Sequence, residues 1–284
     1  MLEPERQEDK RKDLANSLKA LRRAAGLPGE RLAARCAMSQ SKISRIERGK
    51  VLPTVLDVEL ILNALDVPAT VVDELLALAR VANVDYTSWR EHARIGLWKN
   101  QLQLKTLTEA STVVRQFLPA IPTGILQTAE YAREVFTNEV EGDVERDVER
   151  AVQARMERQA ALNDTSRKFI FIMTEQAIRW RRANREIMLG QIEHTIDVSQ
   201  RPNVEMAILP QASTIQATPL NVFLVFDERL VIAELFSGEV VLRDPRDVLY
   251  HLNLFQFFLG HSITGNDMIE FLRSVADEFR YEGR

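Results

Sequence analysis

Chain breakers set the first eighty residues. Gly26, Pro28-Gly29, Gly49, Pro53 and Pro68 interrupt a helical pattern so often that only short helices fit between them. LANSLKALRRAAGL places Leu14, Leu18, Leu21 and Ala25 on one stripe, and Gly26 closes it as a C-cap. GERLAARCA is a second helix. Ser39 is positioned to N-cap a third, QSKISRIER, which Gly49 stops. Pro53-Thr54 opens a fourth, with Val55, Val58, Leu60, Ile61 and Leu65 directed inward, and Pro68 lies near the start of a fifth, TVVDELLALARVA. Five short helices in succession specify a compact all-α unit over residues 13–81.

Beyond it the period changes. Residues 82–118, with Trp89 and Trp98, read as a helical connection. IPTGILQTAEYAREVF is an extended segment with a turn, then a helix capped at Thr128. DVERDVERAVQARMERQAAL is amphipathic, with Val144, Val148, Val152 and Met156 at every fourth position. KFIFIMT and NVEMAILP are strands by composition. NVFLVFDERLVIAELFSGEVVLRD reads as consecutive antiparallel strands with turns near Asp227-Glu228 and Ser237-Gly238. Helices such as EQAIRWRR, NREIMLGQIEHTIDVSQ and the last two, through Leu254–Phe258 and GNDMIEFLRSVADEF, accompany them. The expected architecture is therefore an all-α head followed by an α+β domain with antiparallel strands over 119–284. Residues 1–12, polar and charged, are expected to be a flexible arm.

Charge is unevenly placed. Of 37 Lys and Arg, 12 fall between Lys10 and Lys50; of 41 Asp and Glu, only 3 do, so that segment carries +9 and the remainder −13. A solvated helical surface and a polyanion-binding head on an acidic body both fit the charge alone. The third helix decides between them. Ile43 and Ile46 form its buried pair, while Gln40, Ser41, Ser44 and Arg45 fall on another face. Gln bridges two positions on adenine, Arg bridges guanine O6 and N7, and Ser donates or accepts. Lys42, Arg48 and Lys50 flank them as phosphate contacts would.

These residues resemble a known family. LKALRRAAGLPGERLAARCAMSQSKISRIERGKVLPTVLDVELILNALDV is similar to the helix-turn-helix domain of XRE-type regulators, the Cro and phage-repressor-like class. The resemblance implies base contacts from Gln40, Ser41, Ser44 and Arg45, and an internal salt bridge between Arg22 and Glu47. Two positions depart from the family. Pro28-Gly29 stands where its second helix often starts with Gln, leaving a backbone N–H for the phosphate. Ala37 stands in the turn that usually has Gly, which costs on the order of 1 kcal/mol.

IPTGILQTAEYAREVF, RMERQAAL and VEMAILPQAS resemble the C-terminal domain of unknown function common in actinobacterial WhiJ-type regulators, although Thr123 stands where that class usually has Pro. This implies a transcription factor, often encoded beside a small partner protein in an antitoxin-like arrangement. From the residues alone, Gln127, Tyr131 and Arg133 line a pocket or bridge loops inside the fold; Arg155, Arg158 and Gln159 bind an acidic partner or form a solvated face.

Catalysis is not expected. His92, His194, His251 and His261 are scattered, the single Cys36 gives no zinc spacing, and no phosphate loop or nucleophile motif is present. No metal or cofactor is expected. No run is apolar for the roughly 18 residues a membrane span needs, and the start lacks a signal-peptide pattern, so the expected setting is the cytoplasm. The expected partners are double-stranded DNA and a second copy of the chain, because one recognition helix spans few base pairs. A protein whose main task is to bind a small partner, and a ligand-gated regulator with a pocket in the second domain, are the rival readings.

Overall fold

The computed structural model describes residues 4–137 and 147–281, with side chains from Asp9 onward. Its contacts divide into two units, Met1–Asp85 with Val241–Asp247, and Tyr86–Val240 with Val248–Arg284.

The first unit holds five helices: α1 (Pro4–Ala24), α2 (Gly29–Arg35), α3 (Gln40–Glu47), α4 (Val55–Ala64) and α5 (Ala69–Ala82). Leu14, Leu18, Leu32, Ile43, Ile46 and Leu62 meet in its core, each at most 1% exposed. The starts of α3 and α4 are capped by side chains, while α2 and α5 begin after Pro28 and Pro68 without one. Ser39 accepts from Lys42 N at 3.1 Å, and Thr54 and Asp57 form a reciprocal capping box on α4.

The ends of α1 to α4 share one device. After α1, Gly26 N donates to Arg23 O and Leu27 N to Arg22 O; after α2, Ala37 N donates to Ala34 O and Met38 N to Ala33 O. The same pair of bonds follows α3 at Gly49 and Lys50, and α4 at Asp66 and Val67. These are Schellman closures, and each puts one residue in the left-handed region. Two of the four are glycines, but Ala37 and Asp66 hold φ of 53° there. A Cβ costs about 1–2 kcal/mol in that conformation, and the freer unfolded glycine chain gives back about 0.4–1 of it. Ala37→Gly is therefore expected to stabilise this unit by roughly 0.5–1 kcal/mol. A lower urea midpoint for the variant would show that the turn is not limited by its backbone.

Several expectations need correction. The arm expected over 1–12 is helix from Pro4 onward; residues 1–3 lie outside the described residues. Glu, Gln, Lys and Arg are good helix formers and Pro suits a first turn. Arg11 also ties this extension down, donating to Asp85 Oδ1 at 2.6 Å and to Ala82 O at 3.4 Å. In α4, Leu60 is 39% exposed rather than buried, and Leu62 takes the inward position. The helical period allows only one of them on the core stripe.

The second unit carries most of an eight-stranded sheet, counted among the described residues. In chain order its elements are β1 (Val84–Ser88), α6 (Trp89–Ile95), α7 (Leu97–Glu109), β2 (Val113–Leu118), α8 (Ala129–Phe136), α9 (Val148–Gln159), β3 (Lys168–Thr174), α10 (Glu175–Arg179), α11 (Arg185–Ser199) and β4 (Val204–Leu209). Then come β5 (Phe223–Phe226), β6 (Leu230–Leu235), β7 (Gly238–Leu242), α12 (Pro245–Gly260), β8 (Ile263–Thr264) and α13 (Gly265–Tyr281). Val144, expected on the stripe of α9, lies outside the described residues.

The strand order is β1-β7-β6-β5-β2-β3-β4-β8. The antiparallel hairpin β5–β6 turns at Asp227. Antiparallel strands flank a parallel centre, β2–β3–β4, that the sequence reading does not contain. Parallel neighbours need long crossovers, which α8 with α9 and α10 with α11 supply. These strands are buried almost continuously, as helices on both faces require.

The region 82–118 is thus more than a helical connection. It contains β1, and it ends in β2, which sits between β5 and β3. Arg115 and Gln116 hid that strand, because they break the apolar run in VVRQFL.

Candidate nucleic-acid interface and an arginine-lined cavity

In the first unit, α3 is divided lengthwise. Ile43 and Ile46 are 1% and 0% exposed. Gln40, Ser41 and Arg45 are exposed and Ser44 half-buried; at 3.6 residues per turn Ser41, Ser44 and Arg45 point away from the isoleucine pair, and Gln40 lies about a quarter turn from it. Among the described residues, no ion pair or side-chain hydrogen bond occupies Gln40, Ser41, Arg45 or Lys50. The free groups therefore lie where a major-groove helix would use them.

Glu47 does not face that surface with a free charge. Arg22 Nε and Nη2 donate to its two carboxylate oxygens at 2.5 and 2.7 Å, and Arg22 Nη1 donates to Leu27 O at 2.9 Å. The pair fastens α3 to the end of α1. Two flanking cations are less free than their exposure suggests. Lys42 Nζ lies 2.7 Å from Asp57 Oδ1, so the structure gives it a partner inside the unit. Asp57 also caps α4, and its carboxylate draws the ammonium to that helix end. Arg48 donates to Ser44 O and Oγ at 3.0 and 2.7 Å, tying that cation to the Ser44 hydroxyl.

In the second unit, residues grouped by the sequence separate. Tyr131 is fully buried, its hydroxyl has no partner, and burial pushes its pKa up to about 12. It lies in the core rather than in a pocket. Arg133 is exposed and pairs with Glu149 through two bonds of 2.6 and 3.0 Å. Gln159 donates to Gly124 O and Gln127 O, pinning the 3-10 turn Gly124–Leu126.

Gln127, Arg155 and Arg158 do converge. They line a cavity of about 240 Å³ with Trp89, His92, Gln101 and Glu234. The solvated face expected for the two arginines is overturned: Arg155 is 8% and Arg158 5% exposed. They project from α9 towards Gly124, where a Cβ would stand 2.7 Å from Arg158 Nη2 and 2.8 Å from Arg155 Nε. Only a residue without a side chain leaves room for both guanidinium groups. Arg155 is oriented by a short bond from Nη1 to Gln127 Oε1, by Gln101 Oε1 at 3.5 Å, and by the Phe136 ring 3.9 Å below it.

Burial pulls Arg155 down to about 9, with the like charge of Arg158 adding to it and Glu234 opposing. Burial pulls Arg158 to about 10, again against Glu234. Both stay protonated at neutral pH. Glu234 moves the other way: desolvation, and next the charge of Glu239, push it to about 7 against the pull of both arginines. Glu239 itself lies 3.2 Å from His92 Nε2.

Among the described residues, no helix is long and apolar enough to cross a membrane. Residues 13–75 match the family model of a helix-turn-helix domain. Residues 101–274 match that of the Domain of unknown function (DUF5753). The chain belongs to the DUF5753 family. Its DUF5753 segment starts inside α7, so β2 belongs to it. No curated protein matches the chain.

Among solved structures, it is similar to Nuc from Salmonella typhimurium, a phospholipase D family member. Identity is 6% over 58% of this chain and 90% of Nuc, with a TM-score of 0.35. NucT from Helicobacter pylori is 11% identical over 64% of this chain and 98% of its own, at 0.37. TrmBL2, an archaeal chromatin protein, is 14% identical over 64% of this chain and 53% of its own, at 0.34. At such TM-scores these likenesses carry nothing over to this chain.

The sequence reading missed His92, Gln101, Glu234 and Glu239. One signal was available: LVIAELF and GEVVL each set a single carboxylate in an otherwise apolar strand.

Proposed function

We propose that the chain is a sequence-specific DNA-binding transcriptional regulator that acts in the cytoplasm as a homodimer and catalyses no reaction. One observation carries this reading. The capped helix α3 holds Gln40, Ser41 and Arg45 exposed and, among the described residues, unpartnered, while Ile43 and Ile46 are buried. Such a helix meets base edges with its exposed side chains, and two copies on a palindrome raise affinity and specificity together.

The test is binding to fragments selected from random DNA. Arg45→Ala should lose about 1–3 kcal/mol, roughly 5- to 150-fold, on the selected site and relax its preference at one position. Lys50→Ala should instead weaken binding to every sequence and flatten the salt slope by about one. Unchanged affinity of a folded Arg45→Ala protein would remove that residue from the reading set.

A second reading, regulation by a small ligand, is favoured by the cavity of the second unit, where two buried arginines face a titratable carboxylate.

A further inference from the structure

The cavity is built round a cation that the fold leaves short of partners. Arg158 is 5% exposed, and among the described residues its Nε has no hydrogen-bond partner and no group accepts a bond from it. A buried guanidinium without hydrogen bonds is costly, and its planar fork matches a carboxylate through two parallel bonds. Its neighbour is already set in place: Gln127 and Gln101 hold Arg155, and Phe136 supports its face. Gly124 keeps the space in front of both groups clear of any side chain.

The charges available inside do not balance this pair. Among the described residues Glu234 is the one lining carboxylate, set against two arginines, while Glu239 stands beside His92. With Glu234 only partly ionised near neutral pH, between one and two positive charges are left over, which fits a small anion. The walls define the rest of the occupant. Leu97, Leu104, Leu118, Val222 and Leu224 give them an apolar side beside the polar groups. At about 240 Å³ the space lies below the range of drug-sized sites.

We propose that this cavity binds a small carboxylic acid with an apolar body, its carboxylate held by the guanidinium groups of Arg155 and Arg158. The inference gives a ligand class to the ligand-gated reading and rests on it. It does not depend on whether α3 reads DNA.

The experiment follows the melting temperature of the full chain without DNA, so its failure leaves the Arg45 test untouched. The probes are phenylacetate, benzoate and isovalerate at millimolar concentration, the neutral isostere phenylacetamide, and inorganic phosphate. At least one acid should raise the melting temperature, and phenylacetamide and phosphate should not. Arg158→Met should abolish the shift while the ligand-free variant melts at or above the parent, because a costly unpaired charge has been removed.

Four results would each overturn the proposal. None of the acids shifts the transition; the amide shifts it as much as an acid; phosphate shifts it in their place; or Arg158→Met melts lower without ligand, which would make the arginine a structural element.

Discussion

Glu47→Ala is expected to lower the stability of the helix-turn-helix unit by about 3 kcal/mol. The carboxylate takes two bonds from Arg22, and the two side chains are only 15% and 10% exposed, so neither partner has water to replace the other. Truncating Glu47 leaves the Arg22 charge half-buried, with one remaining acceptor at Leu27 O. Leu27 also donates the closing bond of α1, so the disturbance reaches a helix end as well as a side chain. On the proposed reading, affinity for DNA should fall too, because the anchor of α3 to α1 is gone while Gln40, Ser41, Ser44 and Arg45 are all still present. Urea unfolding of the variant checks the first effect. A loss under about 0.5 kcal/mol, the range of exposed ion pairs, would mean that the pair is ornamental.

Phe117→Ala should cost the second unit about 3–5 kcal/mol. Phe117 is 1% exposed on β2, where parallel and antiparallel pairing meet, opposite Ile172 on one side and Phe223 on the other. Its ring stacks on Phe258 of α12 at 4.2 Å and on Phe223 at 5.3 Å. Removing it opens a cavity between sheet and helix that neighbouring rings cannot close without leaving their rotamers. Phe117→Leu keeps most of the volume and should lose far less. Denaturant midpoints of the two variants separate these outcomes, and near-equal losses would contradict a packing origin.

The first unit was legible because its information is local. A cap or a left-handed turn acts within a few residues, so Ser39, Thr54, Gly26 and Gly49 announce the helices they bound. The second unit hid what depends on distant partners. Arg115 and Gln116 look like a solvated stretch until β3 and β5 lie on either side of them. Arg155 and Arg158 look like a polar helix face until Gly124, Gln127 and Phe136 enclose them. Hydropathy assigns a charge to the outside by default. The exception needs the third dimension, and here Gly124, readable in the sequence only as part of the turn in IPTGILQTAEYAREVF, is the nearest trace of it.

The length of α3 bears on how much a single head can know. Eight residues at 1.5 Å each span about 12 Å, or roughly four base pairs at 3.4 Å apiece. A four-letter word recurs by chance about once in 256 positions, whereas two heads reading eight letters meet a chance match about once in 65,000. A lone copy would therefore find decoys in nearly every gene. Pairing turns a short vocabulary into an address.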